Sequence, residues 1–167
     1  GLIEDVTSNV DLITKLSFNL SLIDVFQSFA YIALQENFSK PEFSDEKLIH
    51  LESGFHPLIK SIIKDQFVTH DLLLNNETFF GLITGPNMAG KTTVMREVAI
   101  IQLLAQIGSF VPAKRARLSL CDFLFSRLGA SDDILKGQST FMVEMAETAE
   151  ILRHATDKSL IILDEVG

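Results

Sequence analysis

Gly85, Gly90, Lys91 and Thr92 stand at G-x-x-x-x-G-K-[ST] spacing within "LITGPNMAGKTT", residues 82–93. A bound polyphosphate needs several backbone N–H donors converging on it. The chain must therefore bend tightly and stay close, which Gly85 and Gly90 permit. A helix after the loop adds the positive end of its dipole. In a loop of this form Lys91 reaches the β- and γ-phosphates, and the Thr92 hydroxyl completes a Mg²⁺ shell. ATP with Mg²⁺ is the expected ligand. A second group of residues matches that chemistry. Asp164 and Glu165 follow the apolar run "LIIL" (160–163). In phosphoryl transfer to water, the first carboxylate holds Mg²⁺ through its water shell, and an adjacent acid orients the attacking water. Four apolar residues before two acids mean little alone. Together with the upstream loop they supply the second half of a hydrolytic site, with Glu165 and Lys91 as its catalytic groups.

The other reactive side chains point to less. A single cysteine, Cys121, excludes an internal disulfide framework and fits a reducing, cytoplasmic setting. Four scattered histidines show no metal-ligand spacing. Met142 and Met145 read as core residues, and His154 as structural or solvent-facing. Lys114, Arg115 and Arg117, in "PAKRARL", read as a solvated strand or turn, the alternative being an anion contact or a subunit interface. The net charge of −8 argues against a broad nucleic-acid footprint on this segment. With 47% hydrophobic and 22% charged residues the chain belongs to the globular class. Counting consecutive apolar residues gives no membrane span, and the polar, acidic N-terminus shows no signal peptide.

The elements that must position these residues follow from periodicity. Residues 1–36 read as helical. Leu16, Leu20, Ile23, Phe26, Phe29/Ala30 and Ala33/Leu34 form one apolar stripe at spacings of three and four. Pro41 and its turn-forming neighbours break the pattern. Residues 47–75 read as strands around a short helix near 57–63, where Pro57 suits a first turn. "FFGLIT" (79–84) reads as a short buried parallel strand leading into the loop. A helix from Lys91 to about Ile107 buries Val94, Val98, Ile101 and Ala105, with Gly108 as its terminator. Strands are expected around Pro112, then a polar loop, "ASDDILKGQ". A helix capped by Ser139 or Thr140 follows, with Phe141, Met145, Thr148/Ala149 and Leu152 on its stripe. "SLIILDE" closes as a buried strand. The alternation implies an α/β domain with a largely parallel sheet and flanking helices.

"TGPNMAGKTT", "GSFVPA", "FSRLGASDDILKGQSTFMVEMAETAEILRHAT" and "LIILDEVG" together resemble the ATPase domain of the MutS family of DNA mismatch repair proteins. The loop and the acid pair recur in many ATPases; Pro-Asn-Met inside the loop and "STFMVEM" are far more specific. The resemblance covers residues 54–167 closely, with "GFHPLI" similar to the start of that domain. Residues 1–53 resemble, more loosely, the helical lever that leads into it. The resemblance implies a P-loop NTPase fold of the ABC-ATPase type. It also implies nucleotide contacts from Gly85, Pro86, Asn87, Met88, Ala89, Gly90, Lys91, Thr92 and Thr93. Asn87 would lie near the γ-phosphate. Phe67, eighteen residues before Gly85, would stack on adenine. Ser139 would be presented in trans to the nucleotide of a second subunit. Mg²⁺ would be held by Thr92 and Asp164. Implied partners are mismatched double-stranded DNA, bound through other parts of the protein, a second copy of the chain in a homodimer, and a MutL-type protein; no membrane is implied. Ala89 and Thr92 depart from the Gly and Ser common in the family, and Thr keeps the hydroxyl.

The chain stops directly after its acid pair, so it reads as a fragment truncated within the domain, expected to hydrolyse little ATP in isolation. There is no Phe-x-Glu mismatch wedge in it. A MutS-like relative acting on other DNA structures or in recombination is the alternative. Another ABC-type DNA-maintenance ATPase is a further one, but it would show a "Ser-Gly-Gly"-like signature before the acid pair, where this chain has "GQSTF".

Overall fold

A computed structural model of the chain describes residues 1–63, 67–86, 90–127 and 140–164. These form two compact units, 1–38 and 39–167.

The first unit is helical. α1 (Leu2–Ser8) and α2 (Val10–Glu36) are separated at Asn9. The α2 helix ends where Asn37 turns left-handed, at φ 55°. Asn tolerates that conformation because its short side chain bonds locally. The N–H groups of Asn37 and Phe38 both return to the Ala33 carbonyl, which satisfies the helix end. Apolar side chains surround α2 instead of forming one stripe: Phe18 and Val25 project roughly 180–200° around the axis from Leu16, at 100° per residue. All three are exposed, as are Leu12, Ile23 and Phe26. By length and composition alone α2 also meets the criterion for a membrane-crossing helix, at mean hydropathy 1.2 over eighteen residues. Mean hydropathy detects what a count of consecutive apolar residues misses, because Ser and Thr interrupt the run at little cost to the average.

The second unit is mixed α/β. Its main sheet has the order β1 (Glu42–Ser44), β4 (Arg115–Ser119), β2 (Leu48–Gly54), β3 (His70–Asn75). Only β1 and β4 run parallel; β2 is antiparallel to both neighbours. A separate parallel pair joins β5 (Leu124–Arg127) to β6 (Leu160–Leu163). The expectation of a largely parallel sheet is therefore corrected. Strand direction depends on which strands meet, and β2 meets β3 after the short α3 (Pro57–Ile63) as a return connection. Strands β1 and β2, on the N-terminal side of residue 54, belong to the same sheet as β4.

One helix, α4 (Lys91–Gln106), covers the main sheet. Val98, Ile101 and Ala105 pack with Leu51, Ala116 and Leu118, all buried. The strand pattern accounts for this. On β4, Ala116 and Leu118 point inward while Arg115 and Arg117 alternate outward. Leu51 lies opposite Ala116 on one side and Leu72 on the other, giving a row of apolar neighbours across three strands. Arg115 lies within 4 Å of Glu42 and Glu52 on the solvated face of this interior strand. Gly108 ends the helix at φ 86°. Buried Gln102 then donates to Gln106 Oε1 at 2.6 Å and to the Ser119 carbonyl at 2.9 Å. The C-terminal half of α4 is thus clamped to the chain after β4.

Three expectations fail here. Residues 79–84 form neither strand nor helix, and Phe79, Phe80 and Leu82 are exposed. A strand exists only through ladder partners, and no described strand pairs with this run. In α5 (Thr140–His154) the inward residue is Ile151, buried, while Leu152 faces solvent. Met142 is likewise exposed, so it is not core. The polar loop 130–138 and Ser139 lie outside the described residues.

Candidate active site

Gly90 is the N-cap of α4, at φ 85°, with no side-chain cap. A Cβ at this position would meet nothing within 4 Å, so backbone conformation and not space is what favours glycine. The first-turn N–H groups of a helix have no intrahelical partners, and this end carries the positive pole. Two side chains flank it. Lys91 Nζ donates to the Gly85 carbonyl at 2.9 Å, folding back across the loop's start. Thr92 Oγ1 donates to Asp164 Oδ2 at 2.5 Å, joining residues 72 apart in sequence. Residues at the two predicted half-sites therefore meet.

Asp164 sits just past β6. Its N–H donates to the Arg127 carbonyl at 2.9 Å, which continues the parallel ladder in which Arg127 pairs with Leu163. Gly85 and Pro86 are exposed, and Thr93 is half-buried. Phe67 is half-buried and lies edge-on to His70, with ring centroids 6.1 Å apart. Asn87, Met88, Ala89, Ser139 and Glu165 lie outside the described residues. The oxygen pair of Thr92 and Asp164 fits Mg²⁺, a hard cation that keeps waters and phosphate oxygens in its shell and needs few protein ligands. Among the described residues no cluster of three His, Cys, Asp or Glu offers a site with a fuller protein ligand set.

Sequence reading missed two charged residues. Arg127 is only 5% exposed. Its Nη1 donates to the Asp164 carbonyl at 3.2 Å, and its Nη2 and Nε face Glu144 and Glu147 of α5 at 2.7 and 3.4 Å. One guanidinium thus ties the acid-bearing strand end to α5. A lone arginine ending the apolar run "FLFSR" was the available signal. Glu97 is buried on α4, and burial raises its carboxyl to about 7. It falls three residues after Val94 and four before Ile101, on the core stripe, where a carboxylate is anomalous. Burial also pushes the Cys121 thiol up, so a nucleophilic role for it has no support. His154 is exposed and lies 2.8 Å from Glu150, as a surface contact.

The Gly90-capped start of α4 and the carboxylate after β6 thus meet on one mixed α/β unit. Comparison with known proteins identifies the family. Residues 81–167 match the family model "MutS domain V". Relatives named "DNA mismatch repair protein MutS" include that of Clostridium novyi (strain NT), 55% identical over 150 residues, covering 89% of this chain and 16% of that protein. That of Rickettsia bellii (strain OSU 85-389) is 52% identical over 165 residues, covering 97% and 19%. That of Clostridium botulinum (strain Okra / Type B1) is 50% identical over 164 residues, covering 97% and 18%. The chain belongs to the MutS family of DNA mismatch repair proteins, and it spans less than a fifth of the length of these relatives.

Proposed function

We propose that this chain is the ATP-binding and ATP-hydrolysing part, with a P-loop NTPase fold, of a MutS protein that binds mismatched DNA and initiates repair. The observation that carries the reading is the 2.5 Å contact between Thr92 and Asp164 at the Gly90-capped start of α4. It brings together the two residue types that a Mg²⁺–triphosphate site requires, from opposite ends of the domain. Loop residues Gly85 to Thr93 wrap the phosphates, and Asn87 approaches the γ-phosphate. Lys91 exchanges its Gly85 carbonyl for phosphate oxygens, a swap of one strong acceptor for a charged one. Thr92 and Asp164 would hold Mg²⁺, which would supply positive charge beside the phosphates. Glu165 orients and deprotonates water, and Phe67 stacks on adenine. Ser139 serves the nucleotide of a second subunit.

In this reading the whole protein is a cytoplasmic homodimer, touches DNA through other domains, and engages a MutL-type partner. Its nucleotide state biases the arrangement of its DNA clamp. Lys91→Ala in the complete protein should weaken ATP binding by at least about tenfold, since charged hydrogen bonds contribute roughly 1.5–3 kcal/mol. Isothermal titration with a slowly hydrolysed ATP analogue measures it, and unchanged affinity would remove the phosphate-loop assignment.

A further inference from the structure

Glu97 has no role in the site just described, yet the fold makes room for it. Between Leu51 and Gly54 the register of β2 against β3 shifts, and Ser53 turns left-handed at φ 49°. The bulge brings Gly54 opposite His70. A Cβ on Gly54 would lie 2.6 Å from Glu97 Oε1, so the carboxyl occupies the space a side chain would need. The other oxygen, Oε2, lies 3.2 Å from His70 Nδ1. Glu97 is 1% exposed at its side chain, His70 35%. His70 in turn meets Phe67 edge-to-face, with an interplanar angle of 86°.

We infer that Glu97 and His70 are positioning residues for Phe67, fixing the adenine-stacking ring to the same helix that carries Lys91 and Thr92. The inference rests on the nucleotide reading above and extends it to how the base is recognised. Phe67 lies three residues before His70, the first residue of β3. His70 begins β3 and Glu97 lies almost two turns along α4, so their contact links the base side of the site to its phosphate side. The 3.2 Å contact lies against a carboxyl enclosed by the fold, where a hydrogen bond is stronger than in water. Holding an aromatic ring in place before the ligand arrives removes an ordering cost from base binding.

The test separates base from phosphate. Binding of Mg²⁺–ATP and of Mg²⁺–tripolyphosphate is measured for the complete protein and for Phe67→Ala, His70→Ala, Glu97→Ala and Glu97→Gln. Stacking on one aromatic ring accounts for roughly a tenfold affinity difference. His70→Ala and Glu97→Ala should each weaken ATP binding about fivefold to tenfold and leave tripolyphosphate within twofold. Combined with Phe67→Ala, neither should add a further loss. Glu97→Gln, whose amide still reaches Nδ1, should restore most of the affinity. Equal losses for ATP and tripolyphosphate, additive losses with Phe67→Ala, or unchanged ATP binding would each overturn the inference. Should Glu97→Ala not fold, His70→Ala at the half-exposed end of the pair decides alone. Lys91→Ala serves as the reference. If it lowers tripolyphosphate affinity, the nucleotide reading stands whichever way the Glu97 result falls; if it does not, both readings fall.

Discussion

Replacing Glu97 with Gln should stabilise the sheet-and-helix unit at pH 8 and change it little at pH 5. Burial raises the Glu97 carboxyl from 4.5 to about 7 in the folded chain. A raised carboxyl means that the folded state binds the proton more tightly than the unfolded state does. Below about pH 4.5 both states are protonated and the group is neutral to stability. Between 4.5 and 7 the unfolded chain ionises while the folded chain resists, so stability falls as pH rises. Above 7 the full penalty of a buried charge is present. At about 1.4 kcal/mol per pH unit, this window corresponds to roughly 3 kcal/mol. Gln has nearly the same shape and no charge, so its advantage over Glu should grow by about 2–3 kcal/mol between pH 5 and pH 8. Among the described residues, His70 lies within ion-pair distance of this carboxyl, at 3.2 Å. Urea denaturation of the chain and of Glu97→Gln at both pH values reads the difference, and the ¹³C shift of the Glu97 carboxyl reads the midpoint directly. A midpoint near 4.5, or parallel pH profiles for the two proteins, would refute the reasoning.

Glu165→Gln should keep ATP binding within a few-fold and slow hydrolysis by roughly 10²–10⁴, the usual scale of general-base catalysis; steady-state phosphate release checks it, and equal turnover would remove Glu165 from that role. Arg127→Met should cost about 3–5 kcal/mol in chemical denaturation, because Glu144 loses the buried partner 2.7 Å away and Asp164 loses a donor to its carbonyl. A loss under about 1 kcal/mol would mean that the guanidinium does not hold strand and helix together.

What was legible in the sequence was local. Val98, Ile101 and Ala105 recur at helical spacing and are the buried face of α4, and Gly108 ends that helix. Pro57 opens α3. Strands were expected around Pro112, and β4 runs from Arg115 to Ser119. Each signal is a period or a backbone preference carried by neighbouring residues, so it survives without knowledge of the fold. The family was equally legible, because "GPNMAGKTT" and "STFMVEM" are contiguous. What tertiary structure decided is every relation between distant residues. Strand directions depend on which edges meet, so β2 lies antiparallel in a sheet expected to be parallel. The run 79–84 has the composition of a buried strand but lacks a ladder partner among the described strands. Ile151, not Leu152, turns inward because the neighbours that α5 packs against, and not spacing alone, set which residue of its apolar pair is covered. Glu97 and Arg127 became visible only once burial was known: a charge in an apolar pattern looks like a solvated exception until the fold encloses it and supplies His70 or Asp164 as its partner.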